Sequence, residues 1–191
     1  MDDDILLIQR LIDGDESALS ILIERHKAPL FRLAYRYTHN PTDAADITEE
    51  TFVRLYFNAH RFKPKSTVSS WLFTIAANLC KDHLRRQKKN AHFLVQPTDF
   101  NHPASPYPTS SDYLGTHSST PATELNTEET LAEIHAAIHA LPHKLKFPFI
   151  FCTLEAHSYD ACAQILKTNR KTIETRIYRA RQQLRKQLAH L

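Results

Sequence analysis

Apolar residues spaced three and four apart run from Ile5 to Asn90, as in Leu22, Leu30, Leu33, Ala34 and Tyr37, and again in Ile47, Phe52, Leu55 and Tyr56. That period places them on one stripe of a helix, so the N-terminal half reads as a helical bundle. Local punctuation agrees. Asn40-Pro41-Thr42-Asp43 offers an N-cap, a proline in the first turn and a carboxylate near the capping-box position, predicting a helix from there to about Asn58. Pro64 interrupts the pattern. A further helix is predicted from Ser66 or Thr67 through Trp71, Leu72, Ile75, Leu79 and Leu84 into the basic run Arg85-Arg86-Gln87-Lys88-Lys89.

From about Phe93 to Asn126 the periodicity vanishes, and Pro97, Pro103, Pro106, Pro108 and Pro121 stand among Ser, Thr and His. This stretch has no Lys or Arg and too little aliphatic surface to offset its ordering entropy, so a flexible linker is expected. A second helical unit begins near Thr127 and continues through Leu131, Ile134, Ile138 and Leu141, with Pro142 and Pro148 bracketing its end. Two amphipathic segments follow, about Ser158 to Lys167 and Lys171 to Leu188, separated by Thr168-Asn169-Arg170, which is helix-turn-helix spacing. The expected architecture is all-α: small helical domains over residues 1–92 and 127–191, joined by a linker over 93–126.

Composition narrows the function. The only glycines are Gly14 and Gly115, so no phosphate-cradling loop, dinucleotide fingerprint or nucleophile elbow can be written. An acidic start, Met1 to Asp4, and no apolar run near the roughly 20 residues that span a bilayer predict a cytoplasmic protein without membrane insertion. Cys80, Cys152 and Cys162 read as buried thiols of a reducing compartment. Charge is strongly segregated. Residues 61–89 carry 8 basic and 1 acidic side chains, and residues 144–191 carry 10 and 3, whereas the segments before each are net acidic. Two separate positive fields suggest two contacts with a polyanion, and nucleic acid is the obvious one.

The last segment puts Ile173, Ile177, Ala180, Leu184 and Leu188 on one face and leaves Arg170, Lys171, Thr172, Thr175, Arg176, Arg179 and Lys186 on others. A helix seated on an apolar stripe, with short and basic side chains at its exposed N-terminal end, fits a major groove. At this point a family resemblance emerges. Ser158-Tyr159, Ala161 to Leu166 and Thr172 to Arg181 resemble the region-four helix-turn-helix of extracytoplasmic-function (ECF) sigma factors. Gly14-Asp15, Arg32 to Arg36, Ala45 to Phe52, Trp71-Leu72 and Leu84 to Arg86 resemble region two of the same family. Lys167 sits where that family usually places a turn glycine, so a looser or differently shaped turn is expected.

The resemblance implies an alternative sigma factor: a non-enzymatic subunit that binds core RNA polymerase, directs it to promoter DNA and promotes opening. By that likeness the Asp43–Asn58 helix docks on the clamp helices of the largest polymerase subunit, with Asp46, Glu49, Glu50, Phe52 and Arg54 as the expected contacts. The first domain would recognise and melt the minus-ten element. Arg61, Phe62, Lys63, Lys65 and Trp71 interleave cations with aromatics, which suits unstacked bases, and the likeness makes this loop the captor of a flipped base. Phe73 reads as core. Asn78, Lys81, Arg85 and Arg86 lie at helical spacings toward duplex or fork DNA, with Lys88 and Lys89 as nonspecific phosphate contacts. The helix-turn-helix would read the minus-thirty-five element through Arg170, Lys171, Thr172, Thr175, Arg176 and Arg179. An anti-sigma factor is the other partner class that the likeness brings.

Rival readings explain less. A classical regulator using only the helix-turn-helix leaves the basic-aromatic loop unused. A metal enzyme would draw on the 12 histidines, with Cys80 and His83, or Cys152, His157 and Cys162, as ligands. None has the paired spacing of a zinc ribbon or finger, and no nucleophile, base and orienting group form a hydrolase set. No metal, cofactor or catalytic residue is therefore expected.

Overall fold

The computed structural model describes residues 3–64, 66–93 and 121–190, with residues 88–93 and 121–128 described as backbone alone. The linker expected over 93–126 thus lies outside the described residues for most of its length. In the first domain, α1 spans Asp3–Ile12, α2 Ser17–Thr38, α3 Pro41–Asn58 and α4 Val68–Phe93, with a 3-10 turn at Ala59–Arg61. The α1–α2 corner turns at Gly14, whose φ of 94° favours glycine, and an added Cβ there would touch nothing. Asp15 then locks the corner. One carboxylate oxygen accepts from the Arg10 guanidinium and the other from the Ser17 hydroxyl and N–H, and these bonds, the Ser17 hydroxyl's first and Arg10's second, hold its carboxyl below the usual carboxylate range.

Helix α3 starts and stops where its sequence predicts. Asn40 accepts from the Asp43 N–H at 3.0 Å, and Pro41 occupies the first turn, where its missing N–H costs nothing. Helix α4 starts one residue past the predicted signal, because Thr67 Oγ1 accepts from the Ser70 N–H and so acts as its cap. The apolar stripes meet as intended: Leu22, Leu30, Leu33 and Ala34 of α2 bury against Ala44, Ile47 and Leu55 of α3 and Leu72, Ala76 and Ala77 of α4.

The second domain holds α5 (Pro121–Ala140), α6 (His143–Phe149), a π-helical stretch (Ile150–Leu154), α7 (Tyr159–Ile165) and α8 (Arg170–Gln187). Helix α5 begins at Pro121, earlier than the lost periodicity suggests; proline is at home in a first turn. Pro148 does not end a helix, as its position suggested, but lies inside α6, and the chain after it widens into the π-helical stretch. The helix-turn-helix has strong caps. Ser158 Oγ accepts from the Ala161 N–H for α7, and Asn169 Oδ1 accepts from the Thr172 N–H at 2.7 Å for α8. Between them Lys167 takes φ 49°, so the left-handed turn is kept without its glycine.

The two domains also touch one another directly. Phe73 of α4, buried as predicted, is covered by the other domain: its ring meets Phe151 at 5.2 Å and His157 at 5.1 Å, both edge-on. Tyr37 at the end of α2 shares a 2.6 Å hydrogen bond with His143 Nδ1. Glu155, with its side chain only 7% exposed, is gripped by Arg36 at 2.8 Å and Arg32 at 3.4 Å. Lys146 is wholly buried at this seam, its ammonium 4.6 Å above the Tyr37 ring.

Candidate nucleic-acid interface

Along α4, residues 71, 78 and 85 are seven apart, with 81 between them, so Trp71, Asn78, Lys81 and Arg85 share a stripe. Asn78, Lys81, Arg85 and neighbouring Arg86 are exposed, and Asn78 is braced by donating to the Thr74 carbonyl at 3.0 Å. At the head of the stripe Trp71 leans on Phe62, ring centroids 5.3 Å apart, and both are half-buried. Each ring is thus partly packed and partly open to solvent, as a base-stacking platform needs. Arg61 and Lys63 flank it, exposed. Lys65 and the side chains of Lys88 and Lys89 lie outside the described residues.

The helix-turn-helix places its predicted residues unequally. Ile173, Ile177, Ala180 and Leu184 are buried as the stripe required, turning Lys171, Thr175 and Arg179 outward. Thr175 Oγ1 is occupied with the Lys171 carbonyl at 2.9 Å. Thr172 is half-buried and supplies the N–H that Asn169 caps. Arg170 is committed to Asp160 at 3.0 Å and Glu174 at 3.1 Å, which ties α7 to α8 across the turn. Arg176 is half-buried, close enough to the seam for its charge, with those of Lys81 and Lys146, to add to the burial that pushes His143 down to about 4. Sequence reasoning missed Tyr178, 62% exposed on the same helix with its hydroxyl accepting from Gln182 at 2.8 Å. A large aromatic off the apolar stripe was the available signal.

The α3 face differs from its prediction in one residue. Asp46 and Glu49 are exposed, and Glu50 and Arg54 pair at 2.7 Å. Phe52, however, is only 6% exposed: it falls on the inward stripe with Ile47 and Leu55 and serves the core. The apolar surface on offer is beside it. Val53 is 46%, Tyr56 41% and Phe57 68% exposed, bordering a groove that Leu19 and Ile23 of α2 complete. The run Phe52-Val53 and Leu55-Tyr56-Phe57 holds more apolar residues than one stripe can bury, and that excess was the missed clue.

Among the described residues, no group of three or more His, Cys, Asp or Glu side chains is placed to hold a metal ion, and no helix is long and apolar enough to cross a membrane.

Residues 22–90 match the family of sigma-70 region 2, and residues 131–184 match sigma-70 region 4. The ECF RNA polymerase sigma factor SigE of Mycolicibacterium smegmatis is 30% identical over 92% of this chain, which spans 65% of that protein's length. The ECF sigma-E factor of Haemophilus influenzae is 28% identical over 97% of this chain and 95% of its own length, and SigW of Bacillus subtilis is 28% identical over 96% of both. Among solved structures, CnrH in complex with the cytosolic domain of CnrY superimposes with a TM-score of 0.68 at 23% identity over 99% of each chain. The sigma factor RpoE of Bartonella quintana, bound to the anti-sigma factor NepR, gives 0.61 at 20% identity over 89% of this chain and 96% of its own.

Proposed function

The chain belongs to the ECF branch of the sigma-70 family, alternative sigma factors that direct RNA polymerase to promoters, and from that premise we propose how its two domains divide the work. The first domain seats the exposed Val53, Tyr56 and Phe57 patch, rimmed by Asp46 and Glu49, on the clamp helices of core polymerase. Its α4 stripe then meets the minus-ten element, with Phe62 and Trp71 stacking on bases freed from the duplex and Arg61 and Lys63 holding the backbone. The second domain lays the N-terminal half of α8 in the major groove of the minus-thirty-five element, with Lys171, Arg176 and Arg179 toward base edges and phosphates. An anti-sigma factor belongs among the proposed partners, since the similar Bartonella chain was solved bound to one.

The observation that carries this reading is that two basic, outward-facing helices stand on different domains, each with a fixed polar or aromatic companion. Their spacing adds a requirement. Helix α7 touches both α4 and α8, so the two DNA-facing helices are about two helix packings, on the order of 20 Å, apart. Elements centred near positions ten and thirty-five lie about 25 base pairs apart, on the order of 80 Å at roughly 3.4 Å per base pair. The docked domains therefore cannot engage both elements, and polymerase must separate them. Free protein should bind promoter duplex weakly, with little sequence preference and a steep salt dependence. Core enzyme should raise affinity by about 10²–10⁴-fold by making the second contact intramolecular. A fluorescence-anisotropy titration on promoter DNA with and without core, paired with run-off transcription, tests this. Tight sequence-specific binding by the chain alone, unchanged by core and yielding no transcript, refutes it.

A further inference from the structure

Two cysteines of the second domain have no part in the function proposed above. Cys152 lies half-buried in the π-helical stretch, and Cys162 is fully buried in α7. The turn between them brings both to one acceptor. The Cys162 backbone N–H donates to the Ser158 carbonyl at 3.1 Å, and the Cys152 sulfur lies 3.9 Å from the same oxygen. The Cys152 thiol donates there, so it sits against the first turn of α7 beside Cys162, near enough for each thiol to shift the other's pKa. The third cysteine, Cys80, is buried in α4, in the other domain.

We propose that Cys152 and Cys162 form an oxidisable dithiol, which hydrogen peroxide converts to an intramolecular disulfide stapling the π-helical stretch to the first helix of the helix-turn-helix. The environment assigns the roles. Cys152 is the member that solvent reaches, and its neighbour Cys162 lowers its pKa, so its thiolate is the attacking sulfur. The nearby Cys152 side chain, together with burial, pushes the Cys162 thiol up and keeps it protonated until needed. The Cys152 thiolate attacks one peroxide oxygen, the O–O bond breaks, and the departing hydroxide takes up a proton, giving a sulfenic acid and water. The Cys162 sulfur then attacks the sulfenic sulfur. The S–O bond breaks, and the Cys162 proton leaves with the hydroxide as a second water. Two thiols lose two electrons and two protons, and one peroxide becomes two waters. The loop so closed carries Glu155 and His157, which dock on the first domain, so the staple would bear on the seam as well as on the helix-turn-helix.

The test uses the full chain, reduced, then exposed to stoichiometric hydrogen peroxide and alkylated under denaturing conditions. Two of three thiols should be lost, with a mass decrease of about 2 Da, a cross-linked peptide joining Cys152 to Cys162, and full reversal by dithiothreitol. Cys80→Ser should behave like the native chain, and Cys152→Ser should lose the reaction. Cys162→Ala, with folding checked by circular dichroism, should stop at a Cys152 sulfenic acid that dimedone traps. If Cys162→Ala fails to fold, the other two variants and the peptide map still decide. Three thiols left alkylable, linkage through Cys80 or between molecules, or over-oxidation of Cys152 beside a free Cys162 would each overturn the proposal.

Discussion

Lys146 is the least expected residue of the fold, and replacing it with Met should make the protein more stable. Its side chain has no exposed surface. One hydrogen bond, from Nζ to the His139 carbonyl at 3.3 Å, and the Tyr37 ring are its recorded attractions. Burial pulls its pKa from 10.5 to about 8. At 1.36 kcal/mol per unit, holding the ammonium in this site costs about 3 kcal/mol relative to the unfolded chain. The sign follows from the direction of the shift. Below pH 8 the lysine is charged in both states and the whole cost is present. Between pH 8 and about 10.5 only the folded state sheds its proton, and the cost fades. The contribution of Lys146 to stability should therefore rise across that window. Its neighbours pull the other way: burial pushes Cys80 up to about 12 and Tyr37 higher still, so both ionise first in the unfolded chain and take stability away above about pH 9. His143, pushed down to about 4, and His139, also lowered, titrate below the window, so only the difference between wild type and a variant isolates the lysine.

Lys146→Met keeps all but the last atom of the unbranched side chain and removes the charge. At pH 7 it should add about 1–3 kcal/mol, a rise of roughly 3–9 °C in Tm for a chain of this size. Urea unfolding of both proteins at pH 7 and pH 9.5 gives the answer as a difference of differences: the variant's advantage should shrink at the higher pH. A variant less stable than wild type at pH 7, or an advantage that does not change with pH, would refute the reasoning.

Arg176→Ala should cost about 1–3 kcal/mol of discrimination at the minus-thirty-five element without unfolding the domain, measured by competition binding of the holoenzyme to matched and mismatched promoters. Phe62→Ala with Trp71→Ala should leave core binding nearly intact but shrink the permanganate-reactive bubble; a normal bubble returns both rings to a purely structural role. Tyr56→Ala with Phe57→Ala should weaken core binding by at least about 1 kcal/mol each while circular dichroism stays unchanged, since both rings are exposed in the free chain. Lys167→Gly should stabilise the protein by up to about 1 kcal/mol, because Lys167 holds φ 49° and glycine adopts it without a Cβ clash; an unchanged urea midpoint would argue against strain there.

How far the sequence carries depends on whether a feature is local. The cap at Asn40 involves residues within three positions, so chain order alone predicts it, and Asn40 accepts the expected Asp43 N–H; the caps at Ser158 and Asn169 are equally local, although the sequence there predicts only segment ends. The α8 stripe was equally legible, because Ile173, Ile177, Ala180 and Leu184 can share only one face. Phe52 shows the limit. The family likeness made it a polymerase contact, but the helical period that buries Ile47 and Leu55 buries it too, leaving Val53, Tyr56 and Phe57 outside. Arg170 illustrates a second limit: its charge was visible, whereas its commitment to Asp160 depends on how the turn brings α7 beside α8.

The docking of the two domains was not legible at all, for a physical reason. Its contacts join residues more than 70 positions apart, Tyr37 to His143, Arg36 to Glu155 and Phe73 to Phe151, across a stretch whose composition predicts only freedom. Each partner also has an ordinary local explanation: an aromatic at a helix end, a surface Arg, a core Phe. The seam mixes stabilising and opposing terms. Phe73 and Phe151 bury apolar area and Glu155 pairs with Arg32 and Arg36, whereas Lys146 buries a charge with no carboxylate among its recorded contacts. A seam built only from the favourable terms would resist the separation that promoter binding requires. One carrying a cost of about 3 kcal/mol is easier for a tight-binding partner to open, because a ligand shifts such an equilibrium only by its differential affinity for the two states. On this argument the variant that stabilises the free chain, Lys146→Met, should also slow holoenzyme assembly, which stopped-flow mixing with core polymerase would show as a lower rate at equal concentrations; an unchanged rate would mean that the seam opens without reference to Lys146.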